Sequence, residues 1–268
     1  MVSLMTHPQF KHIYGPVYSW RLGHSLGIDL ITSDKKYCSY NCSYCQLGKT
    51  YRLCLERRVF VPTSDIVAEV KSLPADCQID HFTFSGNGEP TMATNLGDAI
   101  LALKKIRTEK VAIITNSSTV MQPDVRADLC LADLILFKID APNQEIFEKV
   151  NQAPKGLKLA HIIEGIRLLK KTYKGKLAVQ TMMTDINKAY AAELAQLIHV
   201  IGPDEVQLNT PLRPSPVKPL SEAEMAEIKE PFVRLGLNVL SVYEEEKKTY
   251  QPFDDEATEK RHGQYRSK

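Results

Sequence analysis

The chain is built from short apolar runs, each followed by a stretch with helical periodicity. Residues 25–31 (Ser-Leu-Gly-Ile-Asp-Leu-Ile) read as a first strand, and 81–85, 111–115, 134–139, 176–183, 206–209 and 237–242 as later ones. Segments 64–73, 95–106, 123–132, 144–150, 157–173 and 188–201 space their apolar residues as helices do, and a last helix runs from a Ser221 cap to Leu235. Ser64, Asp65 and Ser221 are good N-caps, and Pro123 suits a first helical turn. Strand and helix in alternation require parallel pairing, right-handed crossovers and a sheet covered by helices. The near-continuous apolar strands fit burial on both faces. Periodicity alone leaves a barrel, a partial barrel and a doubly wound sheet all open.

Polar and glycine-rich groups follow the strands in succession: Ser85-Gly86-Asn87-Gly88-Glu89-Pro90, Asn116-Ser117-Ser118, Asp140-Ala141-Pro142, Thr184-Asp185-Ile186-Asn187 and Asn209-Thr210-Pro211. Each alone suits an ordinary turn. Together they gather where parallel α/β folds place their sites, at the C-terminal strand ends. Composition adds exclusions. A net charge of +2 with 43% hydrophobic residues rules out a strongly basic nucleic-acid coat and an acidic disordered chain. No apolar run reaches the roughly 18 residues of a membrane helix, and the first ten residues hold no signal core, so a cytoplasmic, non-membrane protein is expected.

Cys38, Cys42 and Cys45 lie within eight residues in a Cys-x3-Cys-x2-Cys pattern after the first strand. Close thiolates suit zinc or an iron–sulfur cluster. A structural zinc site takes four protein ligands, and the next cysteine, Cys54, stands nine residues on. Three thiolates on a cubane cluster leave one iron open to a small molecule. Inert thiols are the third reading. A non-enzymatic iron–sulfur or zinc protein, such as a redox sensor, would need only this loop.

With Tyr44 just before the third cysteine, the loop resembles the signature of radical S-adenosylmethionine (radical SAM) enzymes. Gly86-Asn87-Gly88-Glu89-Pro90 is similar to that family's Gly-Gly-Glu-Pro element, with Asn87 set between the glycines. The resemblance implies a 4Fe–4S cluster on Cys38, Cys42 and Cys45, with S-adenosylmethionine (SAM) on the open iron. It implies Tyr44 near the adenine, and Gly86, Gly88, Glu89 and Pro90 around the methionine amino group. Asn116 would help shape the site, Lys138 would neutralise the SAM carboxylate and Asp140 would accept ribose hydroxyls. A Lys138–Asp140 salt bridge is the competing reading of those two. Leu208 and Asn209 would flank the adenine.

The likeness extends from about residue 14 to residue 216. It includes Tyr14-Gly15-Pro16, Arg21-Leu22-Gly23, Ser25-Leu26-Gly27 and Leu208-Asn209-Thr210-Pro211 followed by Arg213-Pro214. These resemble a short branch related to wyosine-type tRNA-modifying Fe–S oxidoreductases, which carry extra N-terminal cysteines; this chain has none before Cys38. The fold so implied is a partial (β/α)6 TIM-like barrel over residues 25–243. An N-terminal extension (1–24) and a charged C-terminal tail (244–268) flank it, with Tyr250 and Phe253 as docking points of the tail. The implied activity is reductive cleavage of SAM, with a 5′-deoxyadenosyl radical taking hydrogen from an RNA base, a peptide or a small metabolite. A low-potential electron donor of flavodoxin or ferredoxin type is implied with it.

Cys54, Cys77 and Cys130 could hold an auxiliary cluster, but the last two belong toward the opposite end of the sheet, so buried, inert thiols are expected. Lys49, Arg52, Arg57 and Arg58 offer either a patch for an anionic partner or a solvated loop.

Overall fold

A computed structural model of the chain describes residues 10–53, 55–74, 77–244 and 252–262. In chain order the elements are β1 (Ile13–Ser19), β2 (Gly23–Ile28), β3 (Tyr37–Cys38), β4 (Arg52–Leu53), α1 (Thr63–Lys71), β5 (His81–Phe84), α2 (Leu96–Ile106), β6 (Lys110–Thr115) and α3 (Pro123–Leu129). There follow β7 (Leu134–Lys138), α4 (Gln144–Asn151), α5 (Leu159–Lys170), β8 (Lys176–Met182), α6 (Ala191–Ile201), β9 (Glu205–Asn209), α7 (Glu222–Arg234), β10 (Val239–Ser241) and α8 (Asp255–His262). The seven strands read from the sequence are β2 and β5 to β10, all within two or three residues of their expected ends.

The main sheet has eight strands in the order β1-β2-β5-β6-β7-β8-β9-β10. All neighbours are parallel except β1 and β2. Residues from β1 and from the exit of β10 line one common cavity, so the sheet curls into a half-barrel. Helices cover its outer face over one large apolar core that includes Phe82, Phe84, Ile113, Ile135, Phe137 and Val206. The inner face carries a small apolar plug of Leu22, Ala112, Leu134, Leu136 and Ala178. Two-residue alternation along each parallel strand sends one set to each face.

Two parts of the domain expectation change. Residues 13–24 are no extension: β1 pairs antiparallel with β2 and forms the first edge of the sheet, with an irregularity between Tyr14 and Val17. The tail is docked over its described part. Phe253 donates its main-chain N–H to the Gly15 carbonyl at 2.8 Å, and Gly15 N–H bonds Thr258 Oγ1 at 3.0 Å. Arg261 Nε meets Asp29 Oδ2 at 2.9 Å with both side chains buried, and Arg261 also bonds the Lys11 carbonyl. Phe253 therefore docks as expected; Tyr250 lies outside the described residues.

The basic stretch is partly structural. The Arg57 side chain is 7% exposed, ion-paired with Asp124 and Asp128, and bonded to the carbonyls of Thr91 and Ala93. Arg52 and Arg58 remain at the surface. No helix among the described residues is long and apolar enough to cross a membrane.

Candidate active site

The cysteine loop leaves β3 at Cys38 and crosses the C-terminal ends of the strands. Its main chain is pinned to the end of α4: Asn41 N–H bonds the Asn151 carbonyl at 3.2 Å and Ser43 N–H the Val150 carbonyl at 2.8 Å. Thr50 closes the loop on Tyr40 O at 2.7 Å and Asn41 Oδ1 at 2.8 Å. A turn brings Cys45 N–H to Cys42 O at 3.0 Å.

Each thiol of the triad has its own N–H donor. Asn116 Nδ2 stands 3.6 Å from Cys38 Sγ, Asn151 Nδ2 3.6 Å from Cys42 Sγ and Lys36 Nζ 3.0 Å from Cys45 Sγ. Ser39 Oγ ties the Asn116 amide and Ser118 Oγ into the same network. Burial pushes the Cys38 thiol up to about 12 and Cys42 up to about 11. Among the described residues no three Cys, His, Asp or Glu side chains converge on the position of a single metal ion. The donor chemistry nonetheless fits an iron–sulfur cluster: three thiols, one N–H···S donor each, and a pinned loop. Lys36 and Asn151 escape a sequence search, because neither carries a spacing signal.

Beside the loop the half-barrel holds a cavity of about 550 Å³. Tyr44, Cys45, Gly86, Lys138 and Asn209 line it. Lys138 Nζ lies 5.1 Å from the Tyr44 ring centre and 3.4 Å from Asp140 Oδ1. Lys138 thus makes the salt bridge with Asp140 and also lines the cavity. Tyr44 is buried and gives its hydroxyl to Asp140, and burial first, then Asp140, hold the phenol well above its usual range.

The two carboxylates expected at the ligand are also held by the protein. Glu89 Oε1 accepts from Thr91 N–H at 3.1 Å, Thr91 Oγ1 at 2.7 Å and Thr115 Oγ1 at 2.6 Å; its Oε2 accepts from Asn116 N–H at 2.6 Å. Three donors share Oε1 and one reaches Oε2, which keeps a second acceptor site. Burial raises the Glu89 pKa and these bonds lower it, with burial the larger effect. Asp140 accepts from Tyr44, from Asn151 Nδ2 at 2.8 Å and from Met182 N–H at 2.7 Å, and is likewise buried. Both carboxylates tie strand ends together. Leu208 belongs to the core under the helices, so it turns away from the cavity that Asn209 lines.

The glycines serve close approach. Gly86 has φ +135°, and a Cβ there would come 2.5 Å from the Asp29 carboxyl carbon. Gly88 bridges Tyr37, and a Cβ on it would fall 1.8 Å from the Tyr37 carbonyl oxygen. That contact docks β3, and so Cys38, onto the exit of β5. Pro90 then starts a buried single turn of 3₁₀ helix that Glu89 caps. Gly88→Ala meets backbone rather than a movable side chain. It should cost about 1–3 kcal/mol and lower iron uptake, read by thermal melting and by iron content after reconstitution.

Cys77 and Cys130 lie on the connections into β5 and β7, at the end of the sheet opposite the loop, as expected. Both are half-buried rather than fully buried. Cys54 lies outside the described residues.

The Radical SAM superfamily profile matches residues 35–198. A UPF0026 protein of Synechocystis is 39% identical over 210 residues, 78% of each chain. A UPF0026 protein of Methanocaldococcus jannaschii is 36% identical over 239 residues, covering 87% of this chain and 71% of that one. Among solved structures, TYW1 with a lysine-pyruvate adduct bound superposes with a TM-score of 0.61 at 13% identity, over 78% of this chain and 73% of that one. A radical SAM methyltransferase from Sphaerobacter thermophilus gives 0.58 at 16% identity, over 81% of this chain. This chain spans only 65% of the methyltransferase. These structural likenesses bear out the partial-barrel fold. The family match and the relatives together establish that the chain belongs to the radical SAM superfamily, among the UPF0026 proteins.

Proposed function

We propose that the protein binds a 4Fe–4S cluster on Cys38, Cys42 and Cys45, binds SAM beside it and acts on a substrate held in the half-barrel cavity. The observation that carries this is the pairing of three thiols, each with an N–H donor, with a cavity into which Cys45 and Tyr44 open. When bound, the cluster supplies the electron that cleaves the SAM sulfonium and so yields a 5′-deoxyadenosyl radical for hydrogen abstraction.

The chain's own residues do the remaining work. Asn116, Asn151 and Lys36 donate to the sulfurs, which favours the electron-rich cluster and sets its potential. Lys138 presents a cation on the cavity wall for the SAM carboxylate. The main chain of Gly86 to Gly88, beside the Glu89 carboxylate, takes the role at the methionine amino group. Tyr44 and Asn209 flank the remaining wall. The substrate is an RNA base, a peptide or a small metabolite, and the electron donor is of flavodoxin or ferredoxin type.

Anaerobic reconstitution tests the reading. The expected result is about four irons per chain and dithionite-dependent 5′-deoxyadenosine from SAM, both lost when Cys38, Cys42 or Cys45 becomes alanine. A chain that takes up metal and forms no 5′-deoxyadenosine would be a redox or sensor protein instead.

A further inference from the structure

Arg21 stands in the turn between β1 and β2 and lines the cavity. That turn precedes β2, whereas the cysteine loop follows the strand ends, so Arg21 enters from the end opposite the thiols. Its Nε and Nη1 are out of contact with solvent and have no hydrogen-bond partner among the described residues. The Trp20 ring centre lies 5.3 Å from its guanidinium carbon. Burial, and then the like charge of Arg213, push Arg21 down to about 10, with no carboxylate among the described residues to offset them. It remains a cation at neutral pH.

The contrast with the other enclosed arginines is direct. Arg57 has two carboxylates and two carbonyls, and Arg261 has Asp29 and two carbonyls. The cavity wall as a whole carries Arg21, Lys138, Arg213 and Arg261 and, among the described residues, no Asp or Glu. Lys138 and Arg261 have their carboxylates behind the wall, in Asp140 and Asp29. Guanidinium nitrogens shut off from solvent without a counter-charge are costly, and an anion in the cavity would offset that cost.

We propose that Arg21 binds an oxyanion of the substrate, a carboxylate or a phosphate, at the floor of the cavity. The guanidinium fork fits either group through paired N–H···O bonds. A substrate anchored there extends across the cavity toward Tyr44 and Cys45, which places its other end beside the thiol loop. The proposal rests on the reading of this cavity as the substrate site. It adds that the substrate has an anionic group on a part small enough to enter about 550 Å³.

The full chain, reconstituted and saturated with SAM, is melted in sodium orthophosphate or sodium acetate, with sodium chloride at equal ionic strength as reference. Wild type should gain melting temperature over chloride in at least one anion. The phosphate arm alone responding identifies a phosphate-bearing substrate, and the acetate arm alone a carboxylate. Arg21→Gln should raise the anion concentration needed at least about tenfold, and Arg21→Lys should keep part of the response. If Arg21→Gln does not fold, the partial response of Arg21→Lys carries the test. SAM affinity should change less than about threefold in either variant.

Equal anion responses in wild type and Arg21→Gln, or none in wild type, would overturn the proposal. So would a loss of SAM affinity as large as the loss of anion response, which would hand Arg21 to the SAM carboxylate. A wild type that responds to anions but makes no 5′-deoxyadenosine would leave the anion site standing and remove the radical reading.

Discussion

Glu89→Ala should unfold the molecule more readily, with a loss of about 3–5 kcal/mol in stability. Removing the carboxylate strands four donors at once: Thr91 N–H and Oγ1, Thr115 Oγ1 and Asn116 N–H. Asn116 is also the donor to Cys38, so the disturbance passes directly into the thiol loop. Glu89→Gln keeps the volume but turns an amide N–H₂ toward donors, and should fall between the two. Urea denaturation of the full chain reads the effect, with iron content as a second measure. An unchanged midpoint with only weakened SAM binding would return Glu89 to a ligand-contacting role.

Arg261→Ala should cost a similar amount, about 3–5 kcal/mol, because it leaves Asp29 buried and unpaired. For a chain of this size that corresponds to a fall of roughly 10 °C in melting temperature. Asp29 also lies against Gly86, so the damage should reach the cavity wall. Adding Asp29→Asn to Arg261→Ala removes the stranded charge and should recover part of the loss. No recovery in the double variant would mean that packing, rather than charge pairing, gives Arg261 its weight.

Much of this architecture is legible before any coordinates. β2 and β5 to β10 are apolar runs of strand length, and parallel strands buried on both faces must be such runs. The thiol triad and the Gly86–Pro90 segment are contiguous, so they too can be read directly. β1 escapes because Gly15 and Pro16 break its alternation, and α8 because its sequence is polar nearly throughout. Its buried residues, Ala257, Thr258 and Arg261, make one face only once β1 is there to meet them.

The protein partners of Glu89 and Asp140 are hidden in the sequence for another reason. A sequence shows a carboxylate but not how many protein donors will fill it. Leu208 was avoidable: neighbours in a strand point to opposite faces, so Leu208 and Asn209 cannot both face one cavity. Arg21 carries no spacing signal of its own, and the enclosure of its guanidinium nitrogens becomes visible only when its surroundings are known.

A half-barrel, unlike a closed one, ends in two free strands, and a free strand is a template on which another chain can pair. The first edge is blunted. Ile13 N–H is taken by the Glu69 carboxylate at 3.0 Å, Gly15 gives its N–H to Thr258 and its carbonyl to Phe253, and Pro16 has no N–H to offer. The other edge, β10, spans just Val239–Ser241, too short to seed an extended ladder. The docked C-terminal segment therefore occupies main-chain groups that this edge would otherwise offer to another strand, a matter of sheet closure rather than of chemistry in the cavity.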